Sequence, residues 1–539
     1  MTPRTIGEFR DVGRATASGG PVSATSGAPA RPARRWDLTR TLRAAAAVAG
    51  LTVIAAYLGV ALARIGYPGH LEILEGNSLV EVHRILAGQQ LYAAPSASYV
   101  PDGYPPLYFA VSATAASVLG QSYLPLRLVS LIASLVCFAT LGRLVQRETR
   151  SRTAGAAAAG LLAATYSATG TWFDVGRVDS LFLALSVAGL YAARWACRTR
   201  GAIAAGLLLG AAFLTKQSAL AEGVVVLAAM AAGPRRRLAA PAAVTCAAVV
   251  GGSTLVLGLT SHGWYIYYIF EQMSQHKLSP GSAHQWWATE LLPTLGIAIC
   301  AAFLGARRIP LVLLAGCGAL TVESFAARAQ TGSNLNDLLP AYLAVAVLAG
   351  LAMGGLPRWH RSPGGRWIPV AVSGLVLVQI GVLAGGFRLS QAFPPNADRL
   401  ANQRLVAAAR ALGGTVAIPA DPGIAVTAGL PPTEDQIAAA DVLHAKDQGT
   451  KNIFMTSLSR DLVTQQFSGI ITEFNGDLRG FRMDLLRRYY HRCPQAPLDG
   501  VLSVPFSANA SALPVTVWLP IGHGPSCAAV VRTLESQES

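Results

Sequence analysis

Residues 51–92 read LTVIAAYLGVALARIGYPGHLEILEGNSLVEVHRILAGQQLY. The first part closes an apolar run that begins near residue 43. The second part brings Glu72, Glu75 and Glu81, with His83 and Arg84, directly after it. An apolar run of about 20 residues is what crossing a bilayer takes. Ionisable groups at the mouth of such a run are costly, so their presence there points to use.

Of the 539 residues, 52% are hydrophobic and 13% charged, against roughly a quarter charged in soluble domains. Apolar runs recur from about 43 to 386, which makes the chain a polytopic α-helical membrane protein. The net charge of +15 would suit nucleic acid, but the arginines stand in short clusters between apolar runs. That is the pattern of the positive-inside rule, and nucleic acid is excluded as a partner. Residues 1–42, rich in Ala, Gly, Ser, Pro and Arg, are expected to be a disordered cytoplasmic tail. The first apolar run is too long for the h-region of a signal peptide.

Basic clusters lie at 31–43, 143–152, 194–200, 235–237, 307–308 and 358–366. If all are cytoplasmic, an even number of crossings separates each pair. PPLYFAVSATAASVLG, residues 105–120, is short and opens on two prolines, so it reads as a re-entrant or interfacial helix. The expected spans are 43–66, 124–145, 153–171, 180–196, 201–215, 218–233, 238–260, 289–306, 309–325, 338–356 and 367–386, eleven in all. The N-terminus is then cytoplasmic, and residues 387–539 form a small extracytoplasmic α/β domain. There ADRLANQRLVAAARAL has helical periodicity, and GGTVAIPADPGIAVTAG reads as a strand, a turn at Asp421-Pro422-Gly423 and a further apolar stretch. In an oxidising compartment Cys493 and Cys527 are able to pair.

This topology puts nearly every carboxylate close to the membrane on one face, which marks a shared site. Each piece also has a plainer reading. Asp179 is able to cap the helix SLFLAL that follows it, Asp174 and Arg177 are spaced for a local ion pair, and Lys216 is free to snorkel. On one helix Asp174 and Asp179 would lie about 140° apart; only a non-helical turn lets both reach one pocket.

The order of several segments carries a resemblance. LEGNSLVEVHRILAGQQLYAAPSASYVPDGYPPLYFAVSA is followed by LPLRLVSLIASL, GTWFDVGRVDSLFLALSVAGLY, GLLLGAAFLTKQSAL and TGSNLNDLLPAYLA. Residues 43–350 resemble the GT-C membrane glycosyltransferases, specifically the protein-mannosyltransferase-like glycosyltransferase family 39 and its bacterial relatives. DPGIAVTAG is similar to a phrase found after the membrane core in some of these. The resemblance implies a multi-span enzyme of the bacterial inner membrane that uses a polyprenyl-phosphate-linked sugar. It gives the catalytic base in the first outer loop to Glu75. The family often has Asp or an Asp-Glu pair at this point, which leaves Glu72 as a rival. It gives a second acidic role to Asp179 or Asp174.

The chemistry asks for the same parts. An acceptor hydroxyl attacking an anomeric carbon needs a carboxylate to take its proton. A leaving lipid phosphate needs cations, for which Arg84, Lys216, His276 and Lys277 are placed. Asn334, Asn336 and Asp337 are suited to sugar hydroxyls, and the run 105–120 to the groove for the polyprenyl chain. One base and no covalent nucleophile imply inversion. Asp174, Asp179 and Glu75 offer oxygen ligands for Mg or Mn, with metal dependence left open. The acceptor is a glycan, lipid or protein of the envelope. A lipid-linked-sugar flippase or transporter, a non-catalytic scaffold, and a polymer ligase or polymerase are the alternatives.

Overall fold

A helix satisfies its backbone polar groups internally, so apolar runs in a bilayer become helices. The computed structural model describes residues 37–305, 309–354, 367–387, 392–472, 482–493, 515–522 and 524–535. Nearly all of the expected tail, and the basic clusters at 307–308 and 358–366, lie outside these residues. The first helices are α1 (Leu38–Arg64), α2 (Glu75–Leu86), α3 (Leu107–Leu119) and α4 (Tyr123–Thr149). Then come α5 (Arg152–Ala164), α6 (Asp179–Trp195), α7 (Thr199–Thr215) and α8 (Ala219–Ala232). The series closes with α9 (Ala239–Thr260), α10 (Pro280–Gly305), α11 (Leu311–Arg328), α12 (Leu339–Gly354) and α13 (Trp367–Gly385).

Seven of the described helices are long and apolar enough to cross a membrane: α1, α4, α9 to α11, α12 with its leading turn, and α13. The expected count of eleven is not confirmed. The other four expected spans are helices, but α5, α6, α7 and α8 have only 13, 17, 17 and 14 residues. At 1.5 Å per residue they rise roughly 20–26 Å, less than the ~30 Å hydrocarbon core. α3, at 13 residues, is shorter still than a span.

Small residues bring the helices together, as is usual where lipid supplies no hydrophobic drive. α1 crosses α5 at Gly50 and Gly160, and a Cβ on Gly160 would collide with the Gly50 backbone. α4 meets α5 the same way at Gly142 and Gly155. Tyr57 of α1 packs edge-on against Phe138, Tyr166 and Phe173, at 5.6, 5.1 and 6.1 Å between ring centres.

The C-terminal part is a small α/β domain. Helix α14 (Asn396–Leu412) leads into β1 (Thr415–Ala417). The strand expected before the Asp421 turn is β1, and the apolar stretch after the turn is a helix, α15 (Gly423–Ala428). Next come α16 (Gln436–His444), α17 (Gln448–Val463) and β2 (Phe467–Thr472). The chain finishes with α18 (Met483–Tyr489), β3 (Tyr490–Arg492), β4 (Thr516–Pro520) and α19 (Cys527–Glu535). The sheet order is β1-β2-β4-β3, with β1 and β2 parallel and the other pairs antiparallel. Alternating side chains bury both faces. Ile471, Val517 and Leu519 meet α14 and α19, while Ile470 and Trp518 meet α17 and the aromatic helical turn Tyr265–Tyr268. Cys493 and Cys527 form a disulfide that ties the end of β3 to α19.

The domain is fixed to the first loop of the membrane part. Asp421 accepts a short hydrogen bond from Tyr123 OH and stands 3.1 Å from His70 Nδ1. Asn402 donates to Tyr67 OH at 3.0 Å.

Candidate active site

α1 ends on Arg64, whose guanidinium meets Asp174 at 2.5 and 2.7 Å. Tyr166 OH donates to the same carboxylate at 2.8 Å. Glu75, the first residue of α2, is held by Arg127 of α4 at 2.7 and 3.0 Å. The Leu71 and Gly176 amides donate to it at 2.5 Å each. These four donors fill the four acceptor positions of a carboxylate. Burial raises the Glu75 carboxyl, but Arg127 and the amides outweigh it, and the pKa falls below the ordinary value. The sequence expectation gives Glu75 the acceptor's proton; its carboxylate is fully buried with these four donors around it, and it does not line the cavity described below.

A second cluster draws on three distant segments. Lys216, at the end of α7, lies 3.0 Å from Asp179 and 3.3 Å from Asp337. Asn336 donates to Asp179 at 3.1 Å and Trp172 Nε1 does so at 2.9 Å. Asp179 is thus no helix cap; the N-cap position is Val178, with no side-chain cap. Asn334 accepts from the Leu335 amide at 2.8 Å and, with Asp337, caps the turn Leu335–Leu338 that leads into α12.

Arg177 forms the third cluster, not a pair with Asp174. It lies 3.4 Å from Glu72 and 3.6 Å from Asp102, and donates to Tyr104 OH at 3.3 Å. Burial pushes the Glu72 carboxyl up to about 7 although Arg177 opposes it. Asp102 is raised for the same reason, against the same guanidinium. Among the described residues its buried Oδ2 has no hydrogen-bond partner.

Asp102, Lys216 and Asp337 line one cavity of about 1340 Å³, together with Tyr104, His276 and Lys277. One wall is apolar and belongs to α8 and α11, with Leu220, Val225, Ala319 and Val322. Val322 is 67% exposed and Leu220 and Val225 are 38% exposed, so this wall opens sideways onto the lipid-facing surface. The run 105–120, expected to shape the groove for the polyprenyl chain, lines none of this cavity. Glu323 of α11 also reaches the cavity, with one oxygen accepting from Ser218 Oγ at 2.6 Å and the other unpartnered. The opposite wall is α16, which brings Asp441 and His444. Asp441, raised to about 6 by burial against the pull of His276, lies 3.7 Å from His276 Nε2. The His276 Nδ1 donates to the Thr331 carbonyl at 3.0 Å.

Of the residues expected in the site, Lys216, His276, Lys277 and Asp337 line this cavity, and Asp179, which accepts from Asn336, holds Lys216. Arg84 lies elsewhere, over the Tyr99 ring at 3.7 Å, beside a second cavity. The sequence reading missed Asp102, Arg177 and Glu323. Asp102 sits in a Pro-Asp-Gly turn, which signals only a loop. Asp174, Asp179 and Glu75 each have a different cation, Arg64, Lys216 and Arg127, so they do not form a ligand set for Mg or Mn. Among the described residues the one group at metal-ligand spacing is His491, Cys493 and Cys527, and its two thiols are joined as a disulfide.

Residues 103–262 match the family model described as dolichyl-phosphate-mannose-protein mannosyltransferase. No curated protein sequence matches the chain. The fold is similar to that of ArnT from Cupriavidus metallidurans bound to undecaprenyl phosphate, at a TM-score of 0.60 and 14% identity, over 88% of this chain and 99% of that one. The same protein in its apo state gives 0.57 and 13%, over 87% and 97%.

Proposed function

We propose that this chain is a GT-C, protein-mannosyltransferase-like membrane glycosyltransferase that takes its sugar from a polyprenyl-phosphate-linked donor and passes it to an envelope acceptor at the extracytoplasmic end of the helices, a reading supported by the family-model match and the ArnT-like fold. The observation that carries this reading is the shape of the large cavity. Its apolar wall on α8 and α11 opens toward lipid, and its head holds Lys216, Lys277 and His276. A lipid with an anionic headgroup needs that combination, and the similar ArnT structure contains undecaprenyl phosphate.

Asp102 serves as base. The acceptor oxygen attacks the anomeric carbon from the side opposite the phosphate, and its proton passes to Asp102. The carbon–oxygen bond to phosphate breaks, and its electron pair leaves with the polyprenyl phosphate. Lys216 meets that developing charge, held in place by Asp179 and Asp337. A single displacement inverts the sugar. Arg177 positions Asp102, facing its buried Oδ2 at 3.6 Å without a hydrogen bond. No step passes through a metal.

The test is transfer of label from radiolabelled polyprenyl-phosphate sugars in membranes that contain the chain or its Asp102→Asn variant. Label reaching a membrane acceptor only with the unaltered chain supports the reading. Label that crosses the bilayer still on its lipid would replace it with a flippase.

A further inference from the structure

A second cavity, of about 700 Å³, lies beside α2 and is lined by none of the residues of the first. Four separate segments build it: His83 and Arg84 from the end of α2, Ser98 from the loop before α3, Gln121 from the loop after it, and Leu430 to Pro432 after α15. Its volume falls within the range that holds small ligands. Among the described residues none of its lining side chains is acidic.

The polar groups are already oriented. Arg84 lies flat over Tyr99, and its Nε and Nη2 both donate to the Gln90 carbonyl, at 3.0 and 2.7 Å. No hydrogen bond from its Nη1 is found among the described residues. His83 Nδ1 donates to Gln121 Oε1 at 2.7 Å, which leaves His83 Nε2 and the Gln121 amide nitrogen for a ligand. Pro431 and Pro432 provide an apolar face opposite. Donors and amides on one side and flat apolar rings on the other match the two faces of a sugar, and a fixed guanidinium adds a preference for charge.

The cavity is also wired to the proposed base. Tyr99, under Arg84, shares a hydrogen bond with Glu81 at 2.6 Å, and the other Glu81 oxygen accepts from the Asp102 amide at 2.8 Å. A ligand that moves Arg84 therefore acts on the backbone of Asp102 through two side chains.

We propose that this second cavity binds an anionic saccharide, its charge a carboxylate or a phosphate, as the far part of the acceptor. The acceptor role rests on the transferase reading above; the saccharide site does not. The full chain in detergent is titrated with three probes: a glucuronic acid trisaccharide, a phosphorylated maltotriose and plain maltotriose. Saturable binding of at least one charged probe is expected, with maltotriose weaker by about tenfold or more. Arg84→Gln should weaken the charged probe to a similar degree and Gln121→Ala should weaken it less, while Lys216→Ala leaves it unchanged. Which charged probe wins names the anion. Equal binding of maltotriose, indifference to both Arg84→Gln and Gln121→Ala, or loss with Lys216→Ala would each overturn the proposal. Binding of a polyprenyl monophosphate, read on the same samples, depends on Lys216 and tests the transferase reading separately.

Discussion

Asp102 and Arg177 face each other at 3.6 Å with no hydrogen bond between them. The guanidinium holds the carboxylate in the cavity wall, and among the described residues the buried Asp102 Oδ2 that faces it has no hydrogen-bond partner. Glu75 and Arg127 are the opposite case, joined at 2.7 and 3.0 Å with every acceptor position taken. On the proposed reading the first carboxylate receives a proton and the second holds helices together, and their variants should separate accordingly.

Asp102→Asn keeps the shape and removes the base. The expected loss in kcat is about 10²–10⁴-fold, with donor binding retained. The unaltered chain should lose activity as pH falls, because the base must be ionised. Burial raises the Asp102 carboxyl, so that acid limb should sit above the ordinary carboxylate range. A pH profile of transfer that keeps the same limb in Asp102→Asn would remove Asp102 from the role.

Glu75→Gln should act on stability first. It leaves the buried Arg127 charge without its counter-ion, which costs about 3–5 kcal/mol. The thermal midpoint in detergent should fall clearly, and replacing both partners by Leu and Met should recover much of it. A Glu75→Gln protein of unchanged midpoint and no activity would return the catalytic role to Glu75.

Stability should fall as pH rises. Burial lifts Glu72 to about 7, Glu81 to about 8 and Asp435 to about 8. In each case the folded state keeps a proton that the unfolded chain gives up near 4.5 for Glu, or near 3.8 for Asp. Their contribution is complete below those values and is lost as pH climbs through 7 and 8. Glu81→Gln mimics the protonated form, since its amide is able to donate to Tyr99 while Tyr99 OH donates to the Leu91 carbonyl at 2.5 Å. Thermal midpoints measured from pH 5 to 9 should decline, and less steeply in Glu81→Gln.

The helices were legible because a bilayer forces apolar runs to about 20 residues, and α14 because its periodicity is helical. The gathering of Asp179, Lys216, Asn336 and Asp337 was legible from their place at the ends of such runs. The partners of Glu75 and Asp174 were not. Arg127 and Arg64 lie within apolar runs, where a lone arginine looks like a flaw in a span rather than half of an ion pair. Asp102 was hidden for a different reason: turn chemistry accounts for a Pro-Asp-Gly, and only the fold brings that turn against Arg177. The short α5 to α8 show that protein packing, rather than hydrocarbon thickness alone, sets helix length inside a bundle.

Breaking the Cys493–Cys527 link should loosen the C-terminal domain without touching the membrane helices. The bond closes a segment with a sequence separation of 34, and removing such a constraint costs about 2–4 kcal/mol. Treatment with a reductant, or Cys527→Ser, should lower the first thermal transition of the intact protein. It should also speed proteolysis near β3 and β4, and an unchanged cleavage pattern would argue that the sheet stands without the link.

Lys216 carries the sharpest test of the donor site. Its ammonium is the one cation in the cavity head that two carboxylates, Asp179 and Asp337, hold in place. Both are nearly buried, so Lys216→Ala takes away the charge that balances them and turns the cavity head from cationic toward anionic. An anionic headgroup then loses an attraction and meets repulsion, and polyprenyl phosphate binding should weaken by about 10–100-fold. Lys216→Arg keeps the charge but not the size, because a guanidinium is wider than an ammonium; it should bind donor better than Lys216→Ala and transfer sugar worse than the unaltered chain. Asp337→Asn removes one restraint and leaves Asp179 in place, so its effect should be smaller than that of Lys216→Ala and fall mainly on kcat. The order is read by titrating a fluorescent polyprenyl phosphate into purified protein. Equal binding by Lys216→Ala and the unaltered chain would place the phosphate elsewhere, with Lys277 and His276 as the next cations to test.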